Sequence, residues 1–147
     1  MKMQDTICLP LRAVRQGLFW FAMGAILYPS IEICYRGYTH YAMAIAGGLC
    51  AVLLFAYNRL YTQHPRLLRA VCGAGLICLV EFIFGVICNL FLGWAIWDYS
   101  TLRFHIMGQI SLRYFLIWCV FSFLLTLLFD RMAADEQAQQ KNFQTSA

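Results

Sequence analysis

Charge is scarce in this sequence. Of 147 residues, 11 are Lys or Arg and 7 are Asp or Glu, 12% in all, while 62% are hydrophobic. A soluble domain of this length needs about twice that share of charge to cover its surface, so a water-soluble globular fold is excluded. No phosphate-cradling GxxxxGK[ST] motif, HExxH or GxSxG occurs, so any ATPase that drives this chain is a separate protein. The seven cysteines form an odd set without a CxxC pair. A disulfide framework or zinc module wants other spacing, which leaves them as small apolar packing residues.

What the sequence has is long apolar runs. Four stretches, 17–34, 41–58, 70–93 and 111–129, approach or exceed the ~20 residues a helix needs to cross a bilayer. The expected fold is an all-α integral membrane protein with four transmembrane helices in two hairpins. Its parts are a cytoplasmic N-terminal segment (1–16), the four-helix membrane domain (17–129) and a polar C-terminal cytoplasmic tail (130–147). The tail is expected to extend span four for a few frayed turns and then become disordered.

Lys and Arg set the orientation. Lys2, Arg12, Arg15, Arg59, Arg66, Arg69, Arg131 and Lys141 fall on one side of the spans, and only Arg36, Arg103 and Arg113 on the other. Basic residues favour the cytoplasmic side, so both termini are expected there, in a multi-pass protein of the cytoplasmic membrane. The net charge of +4 is then a topology signal, and nucleic acid is not an expected partner. The first span follows a basic segment but is succeeded by Tyr28-Pro29-Ser30-Ile31-Glu32, with no small-x-small cleavage site, so it is read as a retained span.

The connections differ in length. Residues 35–40 make a tight outward turn, and 59–69 contain the helix stop His64-Pro65. The third connection, 94–110, is long and carries Trp94, Trp97, Tyr99 and Phe104, rings that suit the headgroup level of an interfacial segment. Both hairpins place a Glu on the first helix and a Tyr, a hydroxyl residue, a His, a Met and a Gly before or within the return helix. This would make them parallel repeats, with an insertion in the third connection.

Glu32 and Glu81 are the residues that most need an explanation. A carboxylate in hydrocarbon is costly and calls for a partner, a proton or a water-filled pocket. Glu81, Gly85, Asn89 and Gly93 recur every four residues, so they share a helix face that should turn into the bundle. Glu81 is read either as a ligand, ion or proton site or as a protonated packing group. Glu32 has Arg36 at i+4, the favoured order for an ion pair, and follows Pro29, which frees a backbone carbonyl one turn earlier. It is read equally as the outer member of a site and as a charge-neutralised helix end. His40 and His105 are able to titrate near neutral pH or to anchor at the interface. Asp98 has three open roles: a helix cap, a cation ligand, or a partner of Arg103 or Arg113. Gly47, Gly48 and Gly85 mark close helix packing.

Several of these residues fall into longer patterns. Glu81-x3-Gly85-x3-Asn89, Trp97-Asp98-Tyr99-Ser100 and Gly108-Gln109-Ile110, with Trp118 beyond, resemble the CmpB-like family of type IV ABC-transporter permeases. The segment Glu32-x3-Arg36-Gly37-x-Thr39-His40-x2-Met43 with Gly47-Gly48 is similar to the other half of that family, so the resemblance covers most of 24–120. It implies a bacterial multi-spanning transport component that associates with a separate ATP-binding subunit. It implies no substrate or reaction. The chain lacks the extra spans and soluble extensions of longer members, as a minimal or oligomerising form would.

Taken together, the residues point to an outward-facing polar cavity that handles a small solute or cation. Its expected lining is Glu32, Arg36, His40, Glu81, Asn89, Asp98 and Gln109. Catalytic residues are not assigned, no cofactor is expected, and a metal role is left open. The expected partners are the lipid bilayer, an ATP-binding subunit and a second copy of the chain. The alternatives are a membrane-embedded enzyme or lipid-handling factor, and a regulatory or assembly subunit of a membrane complex.

Overall fold

The computed structural model describes residues 3–145, with side chains from Ala13 onward. Lys2 and the side chains of Cys8 and Arg12 lie outside the described residues. The elements are α1 (Met3–Arg36), α2 (Tyr41–Leu60), α3 (Arg66–Gly85), a π-helical turn (Val86–Phe91), the strands β1 (His105–Ile106) and β2 (Ile110–Ser111), and α4 (Leu112–Thr145). Four helical stretches are long and apolar enough to cross a membrane. The two short strands pair antiparallel, His105 opposite Ser111 and Ile106 opposite Ile110, an addition to the all-α expectation confined to the third connection.

Local chemistry sets the helix ends. α1 runs unbroken through Pro29 and stops where Gly37, at φ +79°, takes the left-handed conformation that a side chain would disfavour. The Gly37 N–H bonds back to the Ile33 carbonyl at 2.8 Å. Three residues later His40, in extended backbone, caps α2 by accepting the Ala42 N–H on Nδ1 at 3.2 Å. α3 starts after Pro65 and loses α-geometry beyond Gly85. The wider π turn shifts the helix phase, and the chain leaves the helix at Gly93, φ +67°. Gly93 therefore departs from the face of Glu81 and Gly85, and no side chain stands against it.

α1 packs mainly on α2 and α4 on α3, while α2 and α3 meet in the middle; α1 and α4 share no comparable interface. Between apolar surfaces in lipid, association rests on close packing and on hydrogen bonds rather than on expulsion of water. Glycines supply the first. A Cβ on Gly24 would collide with the Gly47 backbone, one on Gly47 with Tyr28 and the Gly24 carbonyl, and one on Gly48 with the Phe21 ring. Trp20 closes the core farther along, stacked on Phe55 at 5.3 Å and edge-on to Phe129 at 5.0 Å.

Charges at the same end are paired. Arg69, only 1% exposed, donates to Asp130 at 2.5 Å, and Arg66 donates to the other carboxylate oxygen at 2.7 Å. Both arginines counted as topology signals in the sequence; here they also tie α3 to α4. α4 continues past Phe129 as helix to Thr145, where the sequence suggests a fraying tail. An ion pair between Arg59 and Glu136 at 2.6 Å holds this extension against α2.

Candidate functional site

The site begins with one face of α1. Tyr28, Glu32 and Arg36 follow each other at i, i+4 and i+8, so they stack along one side of the helix. Arg36 donates to Glu32 at 2.6 Å and to the Ile96 carbonyl at 2.6 Å, and Thr39 donates to the second Glu32 oxygen. Arg36 also lies over the Tyr38 ring, 4.5 Å from its centre. The ion pair expected from the spacing thus carries a further task. It fixes the end of α1 to the third connection, which a plain charge-neutralised helix end would not do.

Glu81 is 2% exposed and sits on α3 below this pair. Its two oxygens accept from the Tyr28 hydroxyl at 2.8 Å and from Trp118 Nε1 at 3.0 Å, so α1, α3 and α4 meet at one carboxyl group. The two donor rings stack on each other with centres 5.8 Å apart. No Lys, Arg or His forms an ion pair with Glu81 among the described residues. The donors are chemically unequal: an indole N–H only donates, whereas a phenol hydroxyl donates or accepts. Of the two neighbours only the phenol therefore offers an acceptor to a proton carried by Glu81.

Above Glu81 a cavity of about 330 Å³ opens between α1 and α4, with Tyr28 and Trp118 at its inner end and Glu32, Arg36, Tyr99 and Arg113 toward the connections. Burial raises the Tyr99 hydroxyl pKa well above its ordinary value, which keeps that group neutral at the wall. A larger open cleft of about 920 Å³ lies at the other end, beside Arg15, Arg59 and Glu136. Its walls come from α1, Arg59 of α2 and the extension of α4, and neither Glu32 nor Glu81 lines it.

The remaining candidates are placed differently. Asn89 and Gln109 do not line the cavity; they hold the third connection. Asn89 donates to the Trp97 carbonyl at 2.9 Å and to the Gln109 side chain at 2.8 Å, and accepts the Ile96 N–H at 2.7 Å. Gln109 packs on Gly85, where a Cβ would stand 2.5 Å from its oxygen, and its carbonyl accepts from Trp97 Nε1 at 2.9 Å. Trp97 is consequently buried within the fold, while Trp94 and Phe104 remain exposed. His40 is taken up by its cap and by tilted ring contacts with Tyr41 and Trp94. Asp98 closes a local turn by accepting the backbone N–H of Ser100 at 2.8 Å and its hydroxyl at 2.9 Å. These bonds hold its carboxyl below the usual carboxylate pKa, the backbone bond most of all.

Three contributors were not singled out as site residues from the sequence: Tyr28, Trp118 and Arg113. Tyr28 had a signal, its spacing of four from Glu32. Trp118 stood in the family pattern and Arg113 as a possible partner of Asp98, but nothing tied either to Glu81 or the cavity, because only the packing of α4 brings them there. Among the described residues no three His, Cys, Asp or Glu side chains converge as a metal site, and the six described cysteines are free.

Fold and site define a polytopic helical membrane protein with a buried acid beneath a lined cavity. Residues 19–146 match the family described as "Putative ABC-transporter type IV", and the chain belongs to that family. It is accordingly a membrane transport component. No curated protein and no solved structure matches it.

Proposed function

We propose that this chain is the membrane-spanning part of a transport system of the cytoplasmic membrane and binds its solute in the cavity between α1 and α4. The carrying observation is that Glu81 receives hydrogen bonds from the two aromatic residues that form the inner end of that cavity. An intramembrane acid so placed joins three helices to the solute space, as a group that senses occupancy or protonation would. The basic residues favour both termini in the cytoplasm and the cavity facing outward, with two hairpins, α1 with α2 and α3 with α4. Two arginines against one glutamate in the lining favour an anionic solute over a cation. Four helices enclose no closed path through the bilayer, so a second copy or a further subunit completes it. Family membership supports an ATP-binding partner.

Two measurements test this. Affinity purification of the tagged chain in mild detergent is expected to bring down an ATP-hydrolysing subunit in fixed ratio. Glu81→Gln is expected to fold and assemble yet fail to restore the phenotype of the deletion. Recovery of the chain without an ATPase, together with full rescue by Glu81→Gln at matched expression, would retire the transport-site reading and leave an assembly subunit in its place.

A further inference from the structure

We infer that the solute held between α1 and α4 is an amphiphile with one acidic headgroup and one long apolar chain. This rests on the cavity being the solute site, and it deepens that reading by naming the ligand class.

The cavity does not end at its inner aromatic pair. A second, narrow groove of about 70 Å³ continues from it, and the two share Tyr28, Ile31, Trp118 and Phe121 as walls. The groove has no charged residue in its lining; Met23, Leu27, Leu54 and Leu125 are typical of it. Its existence follows from the helix arrangement. α1 leans on α2 and α4 on α3, so among the described residues α1 and α4 meet chiefly through the ring pairs Tyr28–Trp118 and Trp20–Phe129, with the groove between these pairs. Leu27 and Ile31 remain about half exposed along it, open sideways to the lipid.

The two compartments have opposite chemistry along one axis. At one end stand Arg36 and Arg113 against a single carboxylate, Glu32, which Arg36 already engages. Arg36 is engaged by Glu32 and by the Ile96 carbonyl, whereas Arg113 lines the cavity exposed and with no ion-pair partner among the described residues. The Arg113 guanidinium thus retains its donors for an anion. At the other end the walls are aliphatic and aromatic. From Arg36 to Trp20 on α1, and from Arg113 to Phe129 on α4, the separation is sixteen residues, about 24 Å of helix. A hydrophilic ion would leave the groove unused, and an uncharged hydrocarbon would leave Arg113 unpaired. At about 70 Å³ the groove has no room for two chains and takes only a few methylenes of one, the rest of which lies along the lateral opening toward lipid. Lateral opening gives such a molecule a route of entry from the membrane.

The groove and cavity carry their own reporters, since Trp20, Trp97 and Trp118 line them. Purified protein carrying Trp94→Phe, which removes the exposed indole, is reconstituted in phosphatidylcholine vesicles. It is then titrated with an 18-carbon chain brominated at mid-length, as the carboxylate, as a lysophosphatidate and as the trimethylammonium analogue. Bromine quenches indole fluorescence on contact. At least one acidic form is expected to quench saturably, with half-saturation at least ten-fold below that of the cation. Tighter binding by the carboxylate assigns a fatty acid, and tighter binding by the phosphate monoester a lysophospholipid. Arg113→Glu is expected to abolish the preference, with Arg113→Gln giving an intermediate value should the reversal of charge disturb folding. Equal quenching by acidic and cationic chains would mean simple partitioning into surrounding lipid and would overturn the inference. Displacement of the acidic probe by millimolar propionate or phosphate would also overturn it, while leaving the cavity as a site for small anions. Loss of the copurified ATPase together with full rescue by Glu81→Gln would instead strike at the transport reading on which it rests.

Discussion

Replacing Tyr28 with Phe removes one hydroxyl and little else. The ring keeps its stack on Trp118 and its contact with Gly47, both of which involve carbon atoms. What is lost is the 2.8 Å bond to Glu81. A hydrogen bond to an ionised group contributes about 1.5–3 kcal/mol and one between neutral groups about 0.5–1.5 kcal/mol, so the size of the effect reports the state of the acid. With Glu81 ionised, Tyr28→Phe is expected to cost about 1.5–3 kcal/mol. For a chain of this size that lowers the thermal midpoint by roughly 3 to 12 °C. The same change is then made in a Glu81→Gln background. Glutamine satisfies both rings, its oxygen accepting from Trp118 and its amide donating to Tyr28, so the cost there should fall into the neutral range. Thermal unfolding of the four proteins in one detergent closes the double-mutant cycle. An equal loss in both backgrounds would refute an ionised Glu81 held by Tyr28. A loss near zero in the wild-type background would refute the bond itself.

Three further outcomes are expected. Single cysteines at Thr39 and Thr101, in a cysteine-free background, should be labelled from outside intact cells, and one at Gln63 should not; labelling at Gln63 would reverse the orientation. Gly47→Ala should destabilise by about 1–3 kcal/mol, because its Cβ would meet Tyr28 and the Gly24 carbonyl, whereas Gly75→Ala, facing open space, should be neutral or slightly stabilising. Equal midpoints for those two variants would place the α1–α2 contact elsewhere. Asp130→Asn should cost about 3 kcal/mol by leaving the buried Arg69 unneutralised, and adding Arg69→Met should recover most of it. Failure of the second change to help would mean that Arg69 is hydrated in the native protein.

The apolar runs and the sparse charge carried the helices almost entirely, because crossing a bilayer imposes both a length and a composition that few other folds share. The ion pair of Glu32 and Arg36 was legible for the same kind of reason: its residues lie one turn apart on a single helix. Glu81 announced itself by the cost of an acid at mid-span, but its donors did not, since Tyr28 and Trp118 reach it from other helices. The face written Glu81, Gly85, Asn89, Gly93 held as far as Asn89, which meets the same Gln109 side chain that packs on Gly85. A π turn has no sequence pattern as firm as the α-helical period, and its wider winding released Gly93. The burial of Trp97 was not legible, because its acceptor, the Gln109 carbonyl, lies twelve residues along the chain and reaches it only in the fold.

α4 forms one wall of the lateral opening and then runs on without a break to Thr145. Its 34 residues measure about 51 Å at the ordinary helical rise, against a hydrocarbon layer of about 30 Å. Roughly 20 Å of the same rod therefore stands clear of the membrane. An unbroken helix has no joint in which to absorb a rotation. A tilt that parts Arg113 and Phe121 from α1 must swing the projecting end the opposite way, and a force applied to that end returns to the opening by the same route. Whatever grips the helix outside the bilayer thereby has a mechanical hold on whether the opening is wide or shut.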